Sequence, residues 1–335
     1  MKRNRIGNTD VWVTDISFGA SGIGNMGRSV TDEEAEEVLL AAWQAGIRYF
    51  DTAPHYGRGR SEQRLGRFLR SKNRDDFVLS TKVGRVLFPG EARSEADGFI
   101  APLPNDVRYD YSGDGIEASL DHSLDLLQVA SIDIAYVHDI GGYTHGSHNA
   151  AYMRDLFETG LDRLRQLKEK GRIRAFGLGV NETQVCLDVL QEADLDVILL
   201  AGRLTLLDRQ AEEGLTRLCR ERNTSLVLGG IFNSGILATG PIDGAWYDYA
   251  PAPEDVMARA EVLQKKSEAL GMPLASAALQ FSRSYPGVAS TLLGTAKVSS
   301  LAGNLTALER KPPVGFDEAF GLPAAIRPAC VSGAN

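Results

Sequence analysis

The sequence predicts an α/β protein: a single (β/α)8 barrel with an N-terminal hairpin and a long loop after its third strand. Short apolar runs alternate with stretches of helical period from Ile16 onward, the pattern of βα units and a parallel sheet. Eight such runs can be counted, and no linker or composition shift divides residues 1–335. Closing one sheet on itself is the natural way to cover eight buried strands. Polar residues give the third observation. Three successive runs end in Asp51, Lys82 and His138, and the ends of parallel barrel strands converge on one face.

The elements follow in order. Residues 2–14 read as a hairpin around Gly7-Asn8, placed to cover the bottom of the barrel. Ile16–Gly19 is the first barrel strand, and the glycine-rich loop from Ala20 to Arg28 can approach a ligand closely. Thr31 followed by Glu34 is a capping-box signal for a helix through Ala45. Strand Ile47–Asp51, helix Ser61–Arg70 and strand Phe77–Lys82 come next. Residues 84–113 break the alternation, with Pro89, Pro102, Pro104 and the aromatic residues Phe88, Phe99, Tyr109 and Tyr111. A loop this long is usually functional or disordered. Its position over the active face suits a substrate lid with aromatic walls, or a packed decoration.

The alternation resumes with helix Ile116–Leu127 and strand Ile132–His138. Helix Met153–Lys170, strand Ile173–Val180, helix Glu182–Ala193 and strand Val197–Ala201 follow. Helix Glu212–Arg222 leads to strand Ser225–Gly229. Two helical stretches, Glu254–Leu270 and Leu274–Ser284, precede strand Val288–Leu293 and a last helix from near Val298. The tail, 312–335, is rich in Pro, Gly and Ala, and is expected to wrap the surface or fold over the pocket.

Composition narrows the class. An apolar fraction of 43% over 335 residues supports a sizeable core, and a formal charge of −8 argues against general nucleic-acid binding. The three cysteines, Cys186, Cys219 and Cys330, lie far apart without CxxC spacing and read as free thiols in a reducing, cytoplasmic setting. Met1–Arg5 has no apolar run behind it, so no secretory signal is expected. No stretch approaches the ~20 apolar residues of a membrane span. The expected partner is a small-molecule substrate, with neither nucleic acid nor membrane; the oligomeric state is not indicated.

The chemistry centres on Phe50-Asp51-Thr52-Ala53-Pro54-His55-Tyr56-Gly57, where a strand turns outward. A free phenol, with a pKa near ~10, is poorly matched to proton exchange at neutral pH. A nearby ammonium favours the phenolate, and a buried ammonium wants a carboxylate beside it. A neutral imidazole can hold a substrate oxygen with one nitrogen and stay engaged with the other. Asp51, Tyr56, Lys82 and His138 in these strand-end contexts resemble the aldo-keto reductase superfamily, over nearly the whole chain from Phe18-Gly19 to Asn304. The resemblance implies hydride transfer between a nicotinamide and a carbonyl or carbinol carbon. It makes Tyr56 the general acid/base, Lys82 the group that lowers its pKa, Asp51 the partner of Lys82, and His138 the group that orients the substrate oxygen.

The same resemblance places the cofactor. Asn181 would hold the nicotinamide carboxamide, although it also suits an N-cap of the next helix. Gly229, Ile231, Phe232, Asn233, Ser234 and Gly235 fall in the family's pyrophosphate loop. Gly229 stands where many members carry a tyrosine that stacks on the nicotinamide. Gly294, Thr295, Lys297, Ser300 and Asn304 would meet the adenosine end. NADP-selective members usually carry cations where Gly294 and Ser300 stand here, so NAD is expected, with NADP as the alternative. Gly177–Glu182, Leu199–Asp208 and Gly229–Leu237 look like bacterial aldose 1-dehydrogenases of the D-threo-aldose, L-fucose or L-galactose type and the related pyridoxal 4-dehydrogenases. Candidate substrate-facing groups are His55, Asp139, Tyr143 and His145, with Asn233. Other readings are a general aldehyde or ketone reductase, a metal-dependent barrel hydrolase using His138, Asp139, His145 and His148, and a cofactor-sensing regulatory subunit. No closed metal motif is present, and no metal ligand is assigned.

Overall fold

In the computed structural model, which describes residues 1–323, eight parallel strands form a closed barrel in sequence order. They are β1 (Ile16–Gly19), β2 (Tyr49–Asp51), β3 (Val78–Val83), β4 (Ile134–His138), β5 (Ala175–Val180), β6 (Val197–Ala201), β7 (Ser225–Gly229) and β8 (Val288–Gly294). The closure runs through β8 and β1, with Thr291 opposite Ile16 and Gly294 opposite Gly19. Strand starts differ from expectation by up to two residues. Ile47, Ile132 and Ile173 are buried and apolar but precede the first ladder pair, so their burial reads as strand where no strand pairing exists.

The bottom of the barrel is stoppered as expected. Arg3–Arg5 pairs antiparallel with Trp12–Thr14, and Ile6, Val11 and Val13 pack fully buried against Tyr49, Val78 and Ile134 inside the barrel. Each such side chain contributes about 1.5–3 kcal/mol by leaving water. A second, larger apolar layer lies between the strands and the surrounding helices, with Phe18, Phe50 and Leu79 among its members. The capping box forms: Glu34 N–H donates to Thr31 Oγ1 at 3.1 Å and Thr31 N–H to Glu34 Oε2 at 2.8 Å, opening helix Asp32–Gln44.

Three regions depart from the sequence reading. The helix expected over 153–170 is two helices, Asn149–Asp155 and Leu161–Glu169, joined by a wide turn at Leu156–Gly160. Gly160 there lies so close to the Tyr111 carbonyl that a Cβ would come within 2.4 Å of its oxygen. The 84–113 segment is a built ribbon. Arg85–Pro89 pairs antiparallel with Asn105–Tyr109, and a small hairpin turns at Asp97-Gly98. That tip is stitched to the Ala20–Arg28 loop: Gly27 N–H donates to Gly98 O at 2.9 Å and Ile100 N–H to Asn25 O at 3.0 Å. In the tail, a short helix, Phe316–Phe320, buries both phenylalanines and accepts from Arg209 at the Phe320 carbonyl, 2.7 Å. Residues 324–335, including Cys330, lie outside the described residues; Cys186 and Cys219 are free and buried. Among the described residues no helix is long and apolar enough to cross a membrane.

Candidate active site

Asp51 and Lys82 meet inside the mouth of the barrel because β2 and β3 are neighbours in register, with Asp51 opposite Ser80. Lys82 Nζ lies 2.7 Å from Asp51 Oδ2 and 2.9 Å from the Thr52 carbonyl, while Ser80 Oγ donates to Asp51 Oδ1 at 2.7 Å. Both charged groups are buried, at 2% and 0% side-chain exposure, so neither is held by water. Gly179 on β5 makes room for the amine: a Cβ there would sit 3.4 Å from Lys82 Cε. Tyr56 comes in from the turn after β2, and Lys82 Nζ stands 4.8 Å from the centroid of its ring. Gly57 (φ +65°) fixes that turn; any Cβ would fall 2.3 Å from the Gly24 carbonyl oxygen. The His138 ring, on the end of β4, lies 6.1 Å from that of Tyr56 at 88°.

The charges in this cluster oppose burial. Burial disfavours the Lys82 ammonium, but Asp51 and Tyr56 more than offset it, and its pKa is held above the usual lysine value. Burial pushes Asp51 up, against the pull of Lys82 and Ser80. Tyr56 corrects an expectation. Lys82 does pull its pKa down, but burial is the larger effect, and the phenol sits above its ordinary value rather than near neutrality. His138 is pushed well below the usual histidine value, by burial first and then by Arg85 and Lys82, so it is neutral.

His138 has support that the sequence did not disclose. Asp139, left-handed at φ +47°, places Oδ2 3.3 Å from His138 Nε2, and the same oxygen pairs with buried Arg85. Tyr111 Oη donates to the His138 carbonyl at 2.7 Å and stands 2.8 Å from His145 Nε2. The single hydroxyl proton goes to the carbonyl, so His145 donates. This places His145 behind His138, packed among Tyr109, Tyr111 and Tyr152, rather than in the pocket. The Asp139 side chain is 18% exposed, and Tyr143 is 52% exposed.

The expected cofactor loops line the same mouth. The loop after β7 is left-handed at Gly230 (φ +59°), Asn233 (+46°), Ser234 (+58°) and Gly235 (+112°), a backbone form that gathers N–H groups for an anion. The Asn233 side chain is spent on bracing this loop, donating to Gly202 O at 3.1 Å and accepting from Thr205 Oγ1 at 2.6 Å. It is therefore not a free substrate-facing group. Ile231 is buried beneath the loop, while Phe232 is half-buried and Ser234 exposed. A Cβ on Gly229 would make ordinary contacts with Leu199, Ala201 and Leu292 at 3.5–3.8 Å, so the backbone there tolerates a side chain. Asn181 is not a helix cap, since Thr183 precedes helix Gln184–Glu192; it faces Tyr249 instead. Gly294, Lys297 and Ser300 are exposed at the loop and helix start after β8, with Thr295 and Asn304 partly covered beside them.

Residues 15–313 match the aldo/keto reductase family. The chain belongs to the aldo/keto reductase family. It is a nicotinamide-dependent oxidoreductase with a barrel to match. It is similar to the pyridoxal 4-dehydrogenase of Microbacterium luteolum, 38% identical over 94% of this chain and 95% of that one. It is also similar to the D-threo-aldose 1-dehydrogenase of a Pseudomonas species, 36% identical over 90% of this chain and 91% of the relative. Among solved structures, an aldo-keto reductase from Bacillus halodurans in its holo form superposes with a TM-score of 0.75 over 98% of both chains, at 24% identity, a likeness of fold.

Within this aldo-keto reductase, several residues beside the mouth escaped sequence reading. Arg85, Tyr111 and Tyr249 reach it from elements that carry no strand-end signal. Tyr249 sits at the tip of a small hairpin, Trp246–Tyr247 with Ala250–Pro251, whose backbone is tied to the β7 loop by Tyr249 N–H to Ser234 Oγ, 2.9 Å. Arg28 donates to the Ala296 carbonyl at 3.1 Å and pairs with Glu34 at 3.2 Å, which brings a second cation beside Lys297. The Asp97-Gly98 pair could have disclosed the ribbon tip, since Asp-Gly is a strong two-residue hairpin signal. Among the described residues no three His, Cys, Asp or Glu side chains converge as metal ligands do.

Proposed function

We propose that this aldo-keto reductase oxidises an aldose hemiacetal at C1 to a lactone, with NAD as the preferred acceptor. The observation that carries the reading is the buried Asp51–Lys82 pair, with its amine 4.8 Å from the Tyr56 ring centroid and the neutral His138 ring alongside. Tyr56 takes the proton of the reacting hydroxyl. Tyr56 enters this step as the phenolate, which the Lys82 ammonium, held charged by Asp51, stabilises, and leaves it as the phenol. His138 orients the substrate oxygen, and Asp139 holds the imidazole.

The bound nicotinamide supplies hydride chemistry that no side chain here can provide. The residues present suit it. The left-handed β7 loop offers backbone N–H groups to a pyrophosphate, and Ile231, Phe232, Asn233, Ser234 and Gly235 are the positions concerned. Gly229 and the Asn181 amide would take the nicotinamide end. Gly294, Thr295, Lys297, Ser300 and Asn304 would take the adenosine end. There Arg28 is engaged by Glu34, a carboxylate that favours a ribose hydroxyl over a 2′-phosphate, and this supports NAD.

A second reading, oxidation of pyridoxal, is favoured by the relative of that name at 38% identity. Initial rates of NAD and NADP reduction with L-fucose, D-arabinose, L-galactose and pyridoxal test both. Reduction of neither cofactor by any sugar, with pyridoxal turned over, would replace the first reading by the second.

A further inference from the structure

Beside the Tyr56 site lies a cleft of about 350 Å³ beneath the 84–113 ribbon, lined by His55, Arg58, Arg85, Asp97, Asp106 and Tyr109, with Phe88 and Val107 as its apolar part. This is within the range of small-ligand pockets, at its small end. His55 stands between the cleft and the reacting centre: it lines the cleft, and its ring is 5.8 Å from that of His138 and 6.4 Å from that of Tyr56. Its walls are charged and mostly paired. Arg58 donates to the Asn105 carbonyl at 2.7 Å, Asp106 at 3.1 Å and Asp97 at 3.1 Å, and Arg85 pairs with Asp139.

The pairing is incomplete in a patterned way. His55 Nδ1, Arg58 Nε and Arg85 Nε are all buried without a hydrogen-bond partner, and all three residues line this one cleft. The Arg85 side chain is only 6% exposed. Orphaned buried groups are costly and call for an explanation. Here they comprise two donors and, on an imidazole kept neutral by burial, a ring nitrogen beside carboxylates that still have lone pairs to offer. These atoms lie just beneath the lining; the lining itself, built of guanidinium and carboxylate groups, both donates and accepts, and around a small volume that fits hydroxyl groups, since each hydroxyl does both. Phe88 and Val107 are too small a share of the lining to hold an apolar chain, and mutual pairing leaves no surplus charge for a phosphate.

We infer that this cleft is the subsite for the hydroxyl groups of an aldose remote from C1, with Arg58, Arg85, Asp97 and Asp106 reading their positions. The inference rests on the aldose reading and specifies it: C1 lies at Tyr56 and the far end of the sugar lies under the ribbon. The ribbon is thus a specificity element, and its tip is sewn to the β1 loop to hold Asp97 in place.

The test compares a full-length sugar with a fragment of one. Arg58→Met and Asp97→Asn are measured with the screened hexoses in oxidation and with glycolaldehyde in reduction, a substrate too short to reach the cleft. Loss of one hydrogen bond to a charged group is worth about tenfold. KM for the hexose should rise about tenfold more than KM for glycolaldehyde, with kcat for the hexose changing far less, and Arg58→Lys should recover part of the loss. Equal changes for both substrates, or no change in hexose KM for variants with wild-type melting temperatures, overturn the subsite. Calorimetric titration with the matching 1,5-anhydroalditols, which cannot be oxidised at C1, reads the cleft without turnover. Binding that Arg58→Met weakens supports the subsite even if no aldose is oxidised, whereas absence of binding by the wild-type protein overturns it.

Discussion

The two ends of this barrel each bury a carboxylate, and they use it differently. At the bottom, Asp133 accepts from Arg74 at 2.6 Å, Arg174 at 2.7 Å and the Leu79 N–H at 2.8 Å. Its cations turn to further protein acceptors: Arg74 to the Phe77 and Ser131 carbonyls, and Arg174 to Asp10 and its carbonyl. At the top, Asp51 accepts from Lys82 and Ser80, and the cation beside it faces Tyr56 and the open mouth. Burial and pairing are common to both ends. What distinguishes a site from a staple is whether the paired cation has a second group to act on.

Tyr56→Phe is the strongest way to break this comparison. It removes the hydroxyl proposed to exchange protons and leaves every bond of Lys82 to Asp51 and Thr52 in place. Turnover should fall by about 10²–10⁴-fold, the range of general acid–base catalysis, while cofactor affinity by fluorescence titration stays nearly the same. Parallel loss of both would remove Tyr56 from its assigned role. The counterpart at the bottom is Asp133→Ala. Its two arginines are 34% and 40% exposed and can be solvated, but the buried Leu79 N–H loses its acceptor, so the loss should be about 1–3 kcal/mol by urea unfolding, with kcat per folded molecule unchanged. A kinetic effect there without a stability effect would erase the distinction between the ends.

Acid sharpens the contrast because its sensitive groups cluster at the top. Burial lowers His55 to about 3 and His145 to about 4, and holds His138 well below its usual value. Below about pH 6.5 the unfolded chain binds protons that these folded imidazoles refuse, so stability falls as pH drops through that window. Glu62, buried behind β3 and pushed up to about 7, runs the other way. Its contribution is full below the unfolded carboxylate value and is lost as pH rises through 7. Burial also pushes Asp51, Asp139 and Glu182 up, so they run the same way as Glu62 and oppose the imidazoles. Glu62→Gln removes one of these opposing carboxyls, so its urea midpoint should fall more between pH 7 and 5 than that of the parent protein. An identical pH dependence for the two proteins would mean that Glu62 titrates as an ordinary carboxyl in the fold.

The legibility of the molecule follows from the same physics. Barrel strands keep strict register with their neighbours, so a polar residue ending an apolar run has a known place, and Asp51, Lys82 and His138 were readable one strand at a time. The supports of His138 were not. Tyr111 and His145 are 27 and 7 residues from it, on a ribbon and a short helix whose placement depends on tertiary packing rather than on period. Asn233 misled for a related reason: an Asn in a glycine-rich loop looks free until Thr205 and the Gly202 carbonyl are seen to occupy its amide. The net shift of Tyr56 was also out of reach, because the sequence shows that a cation is near but not how much water has been removed.

The smallest expected effect is at the exposed rim, where charge pairs have neither the closure of Asp133 nor the burial of Asp51. Arg28 and Glu34 are 37% and 44% exposed and 3.2 Å apart, beside the loop after β8. Pairs of this kind are worth about 0.2–1 kcal/mol. Glu34→Gln removes the countercharge while keeping a side chain that can complete the capping box with Thr31. Released from Glu34, Arg28 should strengthen NADP binding relative to NAD by about two- to fivefold at low salt, and the gain should shrink as ionic strength rises. Dissociation constants for the two cofactors, measured at two salt concentrations, decide it. If their ratio does not move, Arg28 lies too far from the 2′ position to take part in the choice.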